Sequence, residues 1–311
     1  MELELWQAAL LQAIVIGSPI LLAACGELLG QRVGVFNIGI EGVMLMGAVG
    51  GFMVAAEAGN VVVGLIGAAA FGAGFVFLFG LATVVLRANQ VVAGFGLWLL
   101  GLGLSSQIGR PYTGKRAEHP IDHWEIPGLH EIPWVGDILF EHLWLAYVAF
   151  LIPFFIALVM FRTRHGLNIR SVGEDPGSAD AAGVSVIAWR LAYVVFGGAF
   201  IGLSGAFLSL GTVQNWTPFM TSGLGWIGLA VVIFAGWRPL LLIVGAYLFG
   251  GLRALDFIAQ SGGWNVPPEV LTMLPFIGTV AVLILGAWRY RHRPDAGAAP
   301  RALGQAFFRG S

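Results

Sequence analysis

The sequence predicts an all-α fold: a polytopic transmembrane helix bundle of about eight to nine spanning segments, with discontinuous helices among them. Three observations predict it. Hydrophobic residues make up 58% of the 311 and charged residues only 11%, where soluble domains carry roughly a quarter charged. Mean hydropathy is +0.84. Apolar runs of the roughly 20 residues needed to cross the hydrocarbon of a bilayer recur along the chain. A soluble protein of this size cannot hide so much apolar surface, so lipid must solvate part of it.

In chain order, the runs fall at about 7–27, 39–57, 61–86, 89–108, 143–161, 188–211, 223–236, 239–259 and 270–288. Two of the nine are unusual. The 223–236 run is short and 89–108 is rich in glycine, so either is expected to be a half-helix or a re-entrant segment. Such pieces persist at membrane depth only where protein or a water-filled cavity satisfies the backbone. The domain reading is one transmembrane domain over 1–288, with an outer loop at about 109–142 and a cytoplasmic loop at about 162–187. A tail at 289–311, rich in Ala, Gly and Arg, is expected to be disordered.

The start, Met1-Glu2-Leu3-Glu4, is acidic. Leu22-Ala23-Ala24-Cys25 looks like a lipoprotein cleavage box, but a secretory signal needs a positive leading region. An uncleaved first helix is expected. The 46 glycines suit close helix approach in lipid; Gly47 with Gly51, and Gly198 with Gly202, are spaced to line seams.

Charge fixes the expected orientation. Arg162, Arg164, Arg170 and Arg190 surround one loop, and Arg289, Arg291, Arg293, Arg301 and Arg309 lie in the tail. Arg and Lys in short loops mark the cytoplasmic side. An even number of runs separates the two groups, so both fall inside, with the N-terminus outside. The 109–142 loop holds six acidic residues against Arg110, Lys115 and Arg116, as the translocated side should. Its His119, His123, His130 and His142 match no tight ligand spacing, and no metal site is assigned.

A net charge of −1 gives no reason to expect nucleic acid. The single cysteine, Cys25, excludes an internal disulfide. Lys115 is the one lysine, and Arg116 stands where a P-loop needs Ser or Thr.

Polar groups inside spans are expensive and mark pathways or bundle interiors. One cluster runs from Glu27 through Asn37 to Glu41, flanked by glycines that permit a broken helix. It reads either as a pathway or hinge, as where broken helices bind solutes, or as an interfacial loop in which Glu27 pairs with Arg32. Asn89-Gln90 follows Arg87 and reads either as a solute-binding amide pair or as a helix cap. Trp98, Trp216, Trp226 and Trp237 suit interface anchors; for Trp98 and Trp226 stacking on a ring is the sharper alternative. In the 162–187 loop, Asp175 suits a helix cap, Pro176 a first turn and Gly183 an end. The expected product is one short helix, either a polar connector or a docking site.

The stretch Glu27-Leu-Leu-Gly-Gln-Arg-Val-Gly-Val-Phe-Asn-Ile-Gly-Ile-Glu-Gly-Val-Met-Leu-Met-Gly47 resembles the signature of ABC-importer inner-membrane permeases of the nucleoside and simple-sugar group, in the branched-chain amino-acid/ribose-type superfamily. Asn89–Gly94, Gly173–Gly183 and Trp226–Pro239 match in order, so the likeness covers about 8–288. The resemblance implies a transport subunit, not an enzyme, that forms a path for a nucleoside. A simple sugar is the second reading and a branched-chain amino acid the third. It implies a second homologous permease, cytoplasmic ATPase subunits that use the ATP, and an external binding protein or lipoprotein, in a bacterial inner membrane. No cofactor is expected on this chain. Asn37, Glu41, Asn89 and Gln90 match motif positions near the path, with Trp98 and Trp226 beside them. Glu174, Asp175, Pro176, Ala179, Asp180, Ala181 and Gly183 fall where the group places its coupling helix. An intramembrane enzyme would need a nucleophile–base pair or a metal motif, and neither stands at useful spacing.

Overall fold

A computed structural model of the chain describes residues 2–130, 132, 135–262, 266–290 and 299–309. It is a helix bundle, with α1 (Glu2–Arg32), α2 (Ile40–Ala58), α3 (Val61–Gly80), α4 (Gln90–Gly109), β1 (His123–Glu125), α5 (Val135–Leu139), β2 (Glu141–Leu143), α6 (Trp144–Arg162), α7 (Arg164–Glu174), α8 (Pro176–Ala181), α9 (Val186–Ala206), α10 (Leu224–Phe234), α11 (Pro239–Ser261) and α12 (Pro268–Tyr290). Six helices among the described residues are long and apolar enough to cross a membrane. All nine apolar runs lie in helices. α10 is the short one, at 11 residues; at about 1.5 Å per residue it reaches only part way across.

α1 runs through the centre and packs on α6, α9, α10 and α11. Ile20 to Cys25 are wholly buried, which a helix apolar all round requires. Small residues set the seams. A Cβ on Gly47 would lie 2.2 Å from Gly202 Cα, and one on Gly26 would lie 2.3 Å from the Gly197 carbonyl. The backbones of α2 and α1 therefore touch α9 directly, as small-residue packing in lipid allows.

The bundle has two distinct ends. At one, Arg32 Nε donates to the Trp237 carbonyl at 2.9 Å, and α7 and α8 lie close by. This arginine end carries Arg87, Arg170, Arg190 and Arg238. At the other end β1 pairs antiparallel with β2, His123 opposite Leu143. Residues 113–117 bridge to 214–216 there.

Two parts differ from expectation. The loop at 162–187 is mostly helical: α7 precedes the expected short helix and buries Ile169 and Val172. Residues 299–309, expected to be disordered, pack on the arginine end with Ala302 only 4% exposed. The cause is backbone pairing that composition does not register: Ala302 N–H donates to Gly173 O at 2.9 Å and Gly304 N–H to Gly34 O at 3.1 Å. Residues 289 and 290 belong to α12, and 291–298 lie outside the described residues.

Candidate functional site

The chain between α1 and α2 turns back into the bundle, because Gly34 adopts φ +87°, a left-handed conformation natural to glycine. Asn37 therefore lies level with Glu27, more than a turn inside the end of α1. Its N–H donates to Glu27 Oε1 at 3.1 Å. The same oxygen accepts from Gln31 Nε2 at 2.9 Å, and Gln31 Oε1 accepts from Trp237 Nε1 at 2.6 Å. Asn37 Oδ1 accepts the Gly39 N–H at 2.9 Å, an Asx turn that launches α2. Glu27 is thus buried in the break and does not pair with Arg32, whose guanidinium meets Trp237 instead. A cavity of about 10 Å³ beside Glu27 and Asn37 has room for about one water.

Glu41, in the first turn of α2, meets the start of the half-helix α10. Its Oε1 accepts from Gly223 N–H at 2.7 Å and the Thr221 hydroxyl at 2.6 Å. Its Oε2 accepts from Gly225 N–H at 2.8 Å. A helix start leaves N–H groups unpaired and carries partial positive charge, and a carboxylate answers both. A Cβ on Gly225 would lie 2.7 Å from Glu41 Oε2, so no larger residue fits there. The approach to α10 is tightly bent: Phe219 and Ser222 both have positive φ, +62° and +46°. Such strain persists only where surroundings fix it, and it gathers at functional segments.

Trp226, in the first turn of α10, donates from Nε1 to the Ile38 carbonyl at 3.3 Å. Its ring meets Trp98 of α4 edge to face, centroids 4.9 Å apart. Both indoles are half-buried. Gln90 Oε1 accepts the Phe36 N–H at 2.7 Å, which ties α4 to the break. Of the residues expected here, Asn37, Glu41, Gln90, Trp98 and Trp226 gather around 36–41. Asn89 does not join them. It is exposed, and its Oδ1 caps α4 by accepting from Val91 and Val92 N–H, so the capping alternative describes it. Asn37, Glu41 and Gln90 are each at most 5% exposed, so they hold the break together, while the two indoles are half-buried beside it.

Thr221, Gly223 and Gly225 were not singled out from the sequence. The available signal is the glycine pair bracketing Leu224 at the head of the short run; the half-helix expectation there rests on the length of the run alone.

The second group lies in α8. Asp175 ends α7, through its N–H to Ser171 O, and caps α8, through Oδ1 to the Ser178 N–H at 3.0 Å. The Ser178 hydroxyl and N–H hold the Asp175 carboxyl below the usual carboxylate range. Pro176 takes the first turn and Gly183, φ +84°, the end. Ala179 is buried and anchors the turn; Glu174, Asp175, Ala181 and Gly183 are exposed, and Asp180 is half-buried. The helix offers its outer face to whatever meets this end.

Comparison with known proteins adds the family. A family model described as a branched-chain amino acid transport system permease component matches residues 9–283. A Haloferax volcanii protein, TsgC13, provisionally named as a glucose ABC transporter permease, is 39% identical, covering 89% of this chain and 91% of its own. The nucleoside ABC transporter permease NupC of Lactococcus lactis is 31% identical (88% and 90% covered). The guanosine permease NupQ of Bacillus subtilis is also 31% identical (96% and 95%). An inward-facing structure of a transporter described as of the metal-chelate ABC type aligns with TM-score 0.50 at 18% identity, over 89% of this chain and 85% of that one, a likeness of fold alone.

Proposed function

Given that this chain belongs to the branched-chain amino acid transport system permease family, as the match over residues 9–283 shows, we propose that it is the permease of an ABC importer and forms the path for a nucleoside. The observation that carries the reading is the break where Glu41 holds the start of α10 and sets Trp226 against Trp98. A nucleoside presents a flat base and a polar sugar. An indole pair stacks on the base, at about 1–3 kcal/mol per stacked base. The guanosine and nucleoside permeases among the relatives support this class.

A simple sugar is the second reading, favoured by the identity to the Haloferax protein; indoles also pack on sugar rings. A branched-chain amino acid fits less well. It needs charged partners for its ammonium and carboxylate, and the α10 start that could hold a carboxylate is filled by Glu41.

In this reading Asn37, Glu41 and Gln90 fix the backbone of the break, and Trp98 and Trp226 face the solute. The arginine end is cytoplasmic, the N-terminus outside, and the setting a prokaryotic cell membrane. Cytoplasmic ATPase subunits press on the outer face of α8 and supply the energy. A second homologous permease pairs with this chain, and an external binding protein delivers the solute. The test is uptake of labelled guanosine and labelled glucose in cells with and without the gene. Loss of guanosine uptake on deletion supports the reading. Loss of glucose uptake alone moves the substrate to the second reading, and loss of neither removes both.

A further inference from the structure

We propose that Arg190 is a positioning residue for coupling: from inside the arginine end it holds segment 299–309 in place, and that segment ties α8 directly to the break after α1. The proposal rests on the reading of α8 as the face that meets the ATPase.

The segment crosses the arginine end as one piece and meets α7, α8, α9, the break after α1 and Arg87 ahead of α4. Ala302 N–H donates to Gly173 O at the end of α7, and Gly304 N–H to Gly34 O at the break. Arg190 Nη1, from α9, donates to the Gln305 carbonyl at 2.7 Å. Arg309 Nε meets Asp180 Oδ2 of α8 at 3.1 Å. The Arg87 guanidinium lies 4.7 Å from the Phe308 ring centroid.

Arg190 is 2% exposed, and its Nε and Nη2 find no hydrogen-bond partner among the described residues. A guanidinium is costly to bury so sparsely paired. Its packing explains the position. A Cβ on Gly34 would lie 2.9 Å from Arg190 Nη2 and 3.0 Å from the Ala302 carbonyl, so the guanidinium is wedged between the break and the segment. It presents one donor to the Gln305 carbonyl and leaves the segment's own N–H groups free to reach Gly34 and Gly173.

The two ends of this link differ in kind. The Arg190 contact is buried and fixed. The Arg309–Asp180 pair is open, with side chains 81% and 23% exposed, and open pairs are weak and easily exchanged. A partner pressing on α8 meets the weak end, and displacement there runs along the backbone from Arg309 to Gly304, whose N–H reaches Gly34. The break that positions Glu27, Asn37 and Glu41 starts at that glycine. The long way round, through α9 and its seam with α2, is not needed.

The test uses the full transporter with its partner subunits, reconstituted in lipid. Hydrogen exchange at the Ala302 and Gly304 amides reads the link directly. Solute moved per ATP hydrolysed reads coupling. Arg190→Met is expected to raise exchange at both amides about tenfold or more, as a local opening of a once-buried contact does, and to lower the coupling ratio. Arg190→Lys keeps a donor for the Gln305 carbonyl and recovers both. At the surface, where folding is not at risk, Asp180→Arg and Arg309→Asp each lower coupling, and the double exchange restores it. Unchanged exchange in Arg190→Met overturns the proposal. So does raised exchange with normal coupling, or a double exchange no better than either single change. Failure of the α8 reading shows separately, as normal coupling in Ala181→Trp.

Discussion

The carboxylate of Glu41 accepts the backbone N–H groups of Gly223 and Gly225, residues 182 and 184 positions further along the chain. One side chain therefore joins the first broken helix to the second and fixes where the half-helix α10 begins.

Glu41→Gln keeps the size and replaces one acceptor oxygen by an NH2 group facing donors. Hydrogen bonds to a charged group contribute about 1.5–3 kcal/mol each way they are lost, so a stability loss of about 2 kcal/mol is expected. Thermal unfolding of the purified chain measures it, and solute uptake should fall with it. Unchanged unfolding would show that α10 starts where it does without Glu41.

Trp226→Ala removes an indole of the proposed path and is expected to raise the KM for a nucleoside about fivefold or more, from roughly 1–3 kcal/mol of stacking. Trp226→Phe should lie between. Transport kinetics with labelled guanosine decide it; a changed maximal rate at constant KM would assign Trp226 to the machinery of movement instead of to the solute.

Gly47→Val puts carbon into the Gly202 backbone. Rotamers cannot relieve a backbone clash, and overpacking costs about 1–3 kcal/mol or more. Little folded protein is expected in the membrane fraction. Gly96→Ala and Gly103→Ala in α4 are the controls: a Cβ at either meets nothing within 4 Å, and helix propensity favours Ala by roughly 1 kcal/mol. Equal yields for all three would refute the seam.

Burial pushes the His142 imidazole below its ordinary pKa, against the Ile138 carbonyl and the Glu141 charge. The unfolded chain then binds the proton first, so the stability from neutral His142 is present above about pH 6.5 and lost as pH falls through the lowered folded value. The midpoint of thermal unfolding should drop on acidification from about pH 7 to 5, and less steeply in His142→Gln. Parallel slopes would contradict this.

Much of the membrane part was legible in the sequence, because length and apolar composition alone decide what can cross a bilayer. α8 was legible too: Asp175, Pro176 and Gly183 carry a start and a stop in residue chemistry. α7 was not. Its polar surface and two glycines hide an apolar stripe of only Ile169 and Val172. The order of 299–309 was hidden for a different reason, since backbone N–H groups and one buried Arg190 hold it, and neither depends on the segment's own side chains. The partners of Glu41 were beyond reach because nothing local ties residue 41 to residues 221–225.

The most direct test of the path is protection of a thiol placed on it. Cys25 is wholly buried, and Cys25→Ala gives a background free of cysteine. In that background Trp98→Cys sets a thiol beside Trp226, and labelling by a water-soluble reagent is followed in the assembled transporter during turnover. The account expects labelling that guanosine slows and glucose does not. Labelling at the same rate with and without guanosine would contradict a nucleoside path along the Trp98–Trp226 face.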